Sequence, residues 1–171
     1  MLKLKSSTSI LESSIAAFAS DDGLLRLKAR KSLVALGEPA VQALSDAMKH
    51  SELNQVRWEA AKALNKIAAP ESIQAFVVAL EDSDPDVAWV AADALSKFKK
   101  AAWPALLDLL TKDKAESFLL RQGAHHVFRN QKEEGFNDLI EKLLLSLDSA
   151  ANRVSATAAA YEILRRLKHS A

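Results

Sequence analysis

The sequence predicts an all-α fold, an α-solenoid in which antiparallel helix pairs stack into a right-handed superhelix of about ten helices. Three observations predict it. A helical segment recurs about every 31 residues, each copy carries an apolar stripe, and a second apolar helix follows most copies after a proline-bearing turn. The chain also holds only 4 Gly, 4 Pro and 6% aromatic residues, a composition typical of helices rather than sheets.

The repeated segment is clearest at residues 56–67. With Val56 as the origin and about 100° per residue, Ala60, Ala63, Leu64 and Ile67 fall within one sector of roughly 100°. This stripe needs a partner, and the small alanines let a neighbouring helix approach closely. Equivalent segments lie at residues 25–36 and 87–98, and fainter copies surround Arg121 and Arg153.

The period divides the chain into helix pairs, which we expect to form a single domain over residues 1–171. A lone capping helix is expected at residues 8–20 and a final helix at 150–168. The four pairs between them are predicted at residues 24–50, 52–82, 84–113 and 115–148. The final helix bears Tyr161, Ile163, Leu164 and Leu167 and has no covering partner that is visible in the sequence.

The turns and helix starts carry a family resemblance. Residues 37–41 read Gly-Glu-Pro-Ala-Val, and residues 83–87 read Ser-Asp-Pro-Asp-Val; the repeated helix has the pattern Val-Arg-x-x-Ala-Ala-x-Ala-Leu. Over roughly residues 21–165 the chain resembles HEAT repeats of the short bacterial kind associated with phycobilin lyases. The resemblance implies a solenoid whose second helices line a concave binding side.

Composition narrows the classes of function. Without cysteine the chain has no disulfide, thiolate metal site or cysteine nucleophile. The sequence shows no Gly-rich phosphate loop, nucleophile elbow or Ser/His/Asp constellation, so we expect no catalysis, no cofactor and no bound metal. No stretch approaches the ~18 apolar residues of a membrane span and no secretory signal is evident, so a cytoplasmic location is expected.

Two tryptophans are candidate partner-binding residues. Trp58 and Trp89 hold the same phase in consecutive repeats, about 200° from the stripe origin, so both should point away from the core within a pair. Exposed indoles often mark binding surfaces. The alternative is that each indole packs along the seam between adjacent first helices.

An acidic turn and the second helices supply further candidates. Residues 81–95 have a local charge of −5, which predicts that Asp84 and Asp86 bind a basic partner segment. The alternative is a merely solvated turn. On the second helices the predicted concave surface consists of Gln42, Asp46, Gln74, Val78 and Asp108.

Arginines recur at one position of the repeat, at Arg26, Arg57, Arg121 and Arg153. We interpret them as structural, each guanidinium reaching a carboxylate or a helix-end carbonyl in an adjacent turn. His125 with Arg121 and Arg129 forms a candidate basic stripe that contacts phosphate. The alternative, which we favour, is a solvated face.

These patterns favour a scaffold or adaptor that binds another protein. Resemblance to phycobilin lyase repeats also permits a lyase subunit or tetrapyrrole chaperone. Resemblance to helical-repeat DNA glycosylases permits a nucleic-acid-binding protein, although a net charge of +1 argues against it. The terminal helices are a candidate contact for a homo-oligomer.

Overall fold

A computed structural model describes residues 2–112, 117–148 and 153–169. These residues form ten α-helices and three short 3₁₀ turns, with no strand among them, which confirms the predicted all-α solenoid class. The helices are α1 (Leu2–Ala17), α2 (Gly23–Leu36), α3 (Val41–His50), α4 (Asn54–Ile67), α5 (Ile73–Ala79), α6 (Pro85–Phe98), α7 (Trp103–Thr111), α8 (Phe118–Phe128), α9 (Asn137–Asp148) and α10 (Arg153–His169).

The helix bounds differ from the predicted ones mainly at the chain ends. The first helix begins at Leu2, earlier than the predicted residue 8, and ends at Ala17. The predicted boundaries at residues 113, 115 and 150 lie outside the described residues. The chain divides into two compact units, Met1–Ala91 and Ala92–Ala171, each described below by itself. A single domain over residues 1–171 stays a prediction.

The ends of the repeated helices follow the 31-residue period of the sequence. The helices α2, α4 and α6 each have 14 residues and begin 31 residues apart. After them come three residues with positive φ, Gly37 at 68°, Ala68 at 56° and Lys99 at 52°, at the same spacing. A residue with positive φ follows each of these helices, and only glycine adopts such a φ without a steric cost. The sign of φ therefore repeats where the residue type does not, and ψ differs, at −136° for Gly37 and 35° for Ala68.

The core of the first unit lies between closely packed helices. In this unit α3 packs against α4 and α5, and α2 packs against α1 and α4. The predicted stripe of α4 is buried at Val56, Ala60, Ala63 and Leu64, with Ile67 partly exposed. The alanines at positions 60 and 63 are fully buried, as the stripe requires; the close approach of the helix backbones that they would allow stays a prediction.

The core of the second unit is built around Trp103. This side chain is fully buried, and its ring centroid lies 5.5 Å from that of Phe128 and 5.7 Å from that of Phe136. These tilted and edge-to-face contacts are the favoured arrangements of aromatic pairs. Helices α7 and α8 and the turn before α9 thus share one aromatic cluster.

The last helix is covered by its own chain, contrary to the expectation of an uncovered helix. In the second unit α10 packs against both α7 and α9, and Ile163 is fully buried there. The Thr157 hydroxyl donates to the Leu110 carbonyl of α7 at 3.1 Å. Leu164 and Leu167 are half-buried and only Tyr161 of the four residues is exposed, so the apolar surface available to a second copy is smaller than the sequence suggests.

Replacing Ala68 by glycine is expected to raise the free energy of unfolding by about 0.5–1 kcal/mol, because glycine relieves the contact between Cβ and backbone at positive φ. Urea unfolding followed by circular dichroism measures the change. The matched reverse variant is Gly37→Ala, where no atom lies within 4 Å of the added Cβ, so any loss reports backbone strain alone. A loss of stability in Ala68→Gly would contradict the left-handed helix end.

Candidate functional site

An arginine of α4 holds the turn that leads into α6. The Arg57 guanidinium contacts both carboxylate oxygens of Asp82 at 2.8 Å, and it donates to the Ser51 carbonyl at 3.0 Å. Both side chains of the pair are largely buried. The hydrogen bond to Asp82 raises the pKa of Arg57. This bidentate contact is the structural role that the sequence predicts for Arg57.

The next acidic residue of this turn caps α6. The backbone N–H groups of Asp86 and Val87 donate to Asp84 Oδ1 at 2.9 and 3.3 Å, as at a helix N-cap. Asp84 Oδ2 accepts a hydrogen bond of 2.7 Å from the Asn54 amide, at the start of α4. This bond, with smaller contributions from the backbone donors, holds the pKa of Asp84 below its usual range.

These contacts shape a shallow cleft of about 220 Å³ that we call the α4–α6 cleft, lined by Asn54, Gln55, Trp58, Asp84 and Asp86. It brings together three of the seven predicted partner-binding residues. Trp58 is partly buried. The Lys62 ammonium lies 3.6 Å from the centroid of the Trp58 ring, a cation–π contact. Burial, and next the charge of Arg30, lower the pKa of Lys62.

The local charge of −5 overstates what a partner meets at the acidic turn. Asp82 is paired with Arg57, and Asp84 is used by the α6 cap. In the second unit Asp93 forms an ion pair of 2.7 Å with Lys97. Asp86 is exposed, and its carboxylate makes no hydrogen bond or ion pair in the described part of the chain. Within the cleft the acidic surface therefore depends mainly on Asp86, with Asp84 adding its field.

A second cleft, of about 370 Å³, lies along α3 and α5 and is called the α3–α5 cleft. Two predicted residues, Gln42 and Gln74, line it together with Ser45. Its other lining residues are Glu38, Val41, Lys49, Glu71 and Ala75. Gln42 donates to the Asp46 carboxylate of its own helix at 3.1 Å.

The other two predicted residues are exposed but line neither cleft. Trp89 is 58% exposed on α6, and Val78 is 56% exposed on α5, one turn after Gln74. Trp89 thus has the exposure that the sequence predicts, whereas Trp58 is partly covered by Lys62. Five of the seven predicted residues therefore line one of the two clefts, and Trp89 and Val78 line neither.

Sequence reasoning misses the buried carboxylate of Glu59. This α4 residue is only 3% exposed, and it pairs with Arg30 and, at 3.5 Å, with Arg26, both on α2. Two positive charges compensate one buried negative charge, as burial requires. The available signal was weak: an acid adjacent to the apolar stripe, with two arginines one turn apart in the preceding repeat.

The structural interpretation of the recurring arginines is confirmed for three of them. Arg26 donates to the Ser20 carbonyl at 2.7 Å, and Arg57 holds Asp82. Arg121 is buried and donates to the Ser146 and Leu147 carbonyls, each at 2.7 Å. The side chain of Arg153 lies outside the described residues.

Of the three residues considered for a phosphate-contacting stripe around His125, Arg121 is not available to a phosphate. Arg121 is only 7% exposed and is held by main-chain carbonyls at the end of α9. His125 lies 3.3 Å from the Asp148 carboxylate. A phosphate would have to displace these contacts.

The helices α2, α4 and α6, of equal length and 31 residues apart in the chain, define a helical-repeat protein. The family model for HEAT repeats matches residues 41–129, slightly more than half of the chain. The chain therefore belongs to the HEAT-repeat family. Repeats of this family commonly serve as protein-interaction scaffolds and are typically non-catalytic. Neither the comparison with curated proteins nor the comparison with solved structures gives a significant match.

Among the described residues, no helix is long and apolar enough to cross a bilayer. Within the same ranges, no group of three or more histidine, aspartate or glutamate side chains is arranged to hold a metal ion.

The pH dependence of stability should report the Asp84 cap. Because the pKa of Asp84 is lowered in the folded state, its contribution is fully present above the unfolded value of about 4 and is lost as the pH falls through the folded value. Asp84→Asn keeps a capping oxygen but cannot titrate. Urea unfolding between pH 7 and pH 3 should show the advantage of wild type over Asp84→Asn shrinking below about pH 4.

Asn54→Ala is the matched control, because it removes the strongest of the hydrogen bonds that lower the pKa of Asp84. In that background the pH dependence should be weaker. Parallel stability curves for wild type and Asp84→Asn would contradict the assignment.

Ser45→Ala should raise the free energy of unfolding by about 1 kcal/mol, because the buried Ser45 hydroxyl has no hydrogen-bond partner in the described structure. Ser72→Ala is the matched control and should lower it by about 1 kcal/mol, since the equally buried Ser72 hydroxyl donates to the Ala69 carbonyl at 2.6 Å. Urea titration measures both. Equal losses in the two variants would show that Ser45 has a partner in solution.

Proposed function

We propose that this protein is a non-catalytic scaffold or adaptor that binds another protein, and that a basic segment of the partner docks in the α4–α6 cleft. The observation that supports it is the position of Trp58, Asp84 and Asp86 around one cleft, although Trp58 is distant from the other two in sequence. The family supports the general role, because HEAT repeats commonly serve as interaction scaffolds.

The chemistry of the cleft matches a lysine or arginine side chain. The Trp58 indole lines the cleft and offers an apolar surface for the aliphatic stem. The Lys62 ammonium, 3.6 Å from the ring centroid, already makes the cation–π contact with this indole. Asp86 presents an exposed carboxylate, and the amides of Asn54 and Gln55 line the same cleft.

The remaining predicted residues extend the proposed surface. Trp89 provides a large exposed aromatic side chain on α6, and Val78 an apolar one on α5. Gln42 and Gln74 add polar groups in the α3–α5 cleft. A cytoplasmic location and a homo-oligomer through the terminal helices stay predictions.

Two alternatives have less support. A nucleic-acid-binding surface needs free cations, whereas Arg26, Arg57 and Arg121 are committed to carboxylates or carbonyls, and the net charge is only +1. The likeness to phycobilin lyases stays a prediction, because the family match extends to HEAT repeats in general.

Charge reversal at the cleft tests the proposal. Asp86→Lys should weaken partner binding about tenfold, because it replaces an attraction by a repulsion. Proteins retained from a lysate of the source cells are identified with wild type, and the affinity of a purified partner is then measured at low and at physiological salt. Binding should weaken with salt, since the charges are exposed.

Asp21→Lys is the matched control, because Asp21 is exposed in the same unit and lines neither cleft. A partner that binds wild type and Asp21→Lys equally but loses affinity for Asp86→Lys supports the proposal. A partner unaffected by Asp86→Lys and by Trp58→Ala would move binding to another surface. Retention of nucleic acid or pigment in place of protein would overturn the adaptor role.

A further inference from the structure

The second unit has a groove between its last two helices, which we call the α9–α10 groove. Its volume is about 490 Å³, larger than that of either cleft of the first unit, and its lining is mainly apolar. We propose that two copies of the chain bind each other through this groove in a symmetric dimer. The residues that carry the proposal are Lys142 and Leu145 on α9, and Ser155, Ala158, Ala159 and Glu162 on α10.

One wall of the groove has a protruding leucine, and the other wall has small residues. On α9 the Leu145 side chain is 66% exposed. On α10 the positions across the groove are Ser155, Ala158 and Ala159, which leave a recess. A single exposed leucine is ordinary, but a leucine beside such a recess places a knob and a hole on one surface. That surface is self-complementary, as a two-fold interface requires.

A two-fold axis along the groove brings the knob and the hole together. Helices α9 and α10 pack on each other and are separated in the chain only by residues 149–152, so they run antiparallel. Rotation about this axis places α9 of each copy on α10 of the other, at the same level of the groove. Leu145 of each copy then enters the recess at Ala158 and Ala159 of the other.

The charges of the groove match under the same rotation. Lys142 lies on the α9 wall and Glu162 on the α10 wall. The Arg165 hydrogen bond, and to a smaller extent the charge of Lys142, lower the pKa of Glu162, so the ammonium and the carboxylate lie near one level of the groove. The axis therefore sets Lys142 of each copy near Glu162 of the other. A strongly acidic or strongly basic partner finds no such match in a groove with one charge of each sign.

The size of this face limits the strength of the dimer. With 12 residues, α9 is about 18 Å long, and two packed helices are about 20 Å wide. Such a face is at the small end of stable protein interfaces, so we expect a dissociation constant in the micromolar range.

Sedimentation velocity at protein concentrations of about 1–500 µM measures the dimer, and wild type should change from monomer to dimer across this range. Leu145→Lys should stay monomeric, because an ammonium does not enter an apolar recess. Leu24→Lys is the matched control and should dimerise as wild type does, because Leu24 is 69% exposed in the first unit and lines neither the groove nor the two clefts. Both variants change exposed side chains, so their thermal midpoints should equal that of wild type.

Two charge reversals test the symmetry itself. Lys142→Glu and Glu162→Lys should each dimerise about tenfold more weakly, because like charges then meet at two places in the dimer. Mixing the two variants should restore the dimer, since every charge contact between them joins an acid to a base. Native mass spectrometry with one variant labelled with ¹⁵N identifies the heterodimer.

A wild type that is monomeric over the whole concentration range would overturn the inference. A dimer that persists in Leu145→Lys, or a mixture of the two charge variants that stays monomeric, would do the same. Binding of lipid vesicles or of another protein at Leu145 by a monomeric wild type would assign the groove to a different occupant. The proposed function is tested separately, because Asp86→Lys alters the first unit and should leave the dimer unchanged.

Discussion

The bidentate contact between Arg57 and Asp82 determines the geometry of the turn between α5 and α6. Asp82 Oδ1 also accepts the backbone N–H of Asp84 at 2.8 Å, which places the Asp84 carboxylate at the start of α6. Asp84 in turn binds Asn54 at the start of α4. Three linked contacts thus tie the beginnings of two successive first helices together. Each charge-assisted hydrogen bond is worth about 1.5–3 kcal/mol, and breaking the largely buried pair would leave a charge without its partner.

The same contacts decide which charges remain for binding. Carboxylates at Asp82 and Asp84 satisfy a guanidinium, an amide and backbone donors, so the turn is ordered by its own acidity. Asp86 is the acidic side chain of the α4–α6 cleft without such a bond in the described residues. Neighbouring carboxylates of one short segment therefore have different roles: Asp82 and Asp84 order the turn, and Asp86 is exposed in the cleft.

The sequence predicts the fold well because the signals for it are local. The stripe of Val56, Ala60, Ala63 and Leu64 needs only helical periodicity, and all four residues are buried. The recurring arginines at residues 26, 57 and 121 require only a nearby turn. Both predictions succeed without knowledge of the angles between helices.

The site is predicted less completely because its features depend on tertiary geometry. The burial of Glu59 depends on how closely α2 and α4 approach, and two arginines must reach it from the neighbouring helix. Trp58 and Trp89 hold the same phase in their helices, yet Trp58 is partly buried and Trp89 is exposed. This difference in exposure depends on the side chains packed around each indole. Counting charge along residues 81–95 cannot distinguish a carboxylate that caps a helix from one that faces solvent.

The coincidence of helix starts and positive-φ helix ends at 31-residue intervals has a consequence for how such a chain can lengthen. Asn54 begins one first helix and Pro85 begins the next, so residues 54–84 span one full period. Tandem duplication of this segment in its gene would preserve the spacing of every helix boundary. Each added copy would bring one more Trp58 and one more Asp84 but not Asp86, which lies outside the segment, so the chain would lengthen without adding the exposed carboxylate of the α4–α6 cleft.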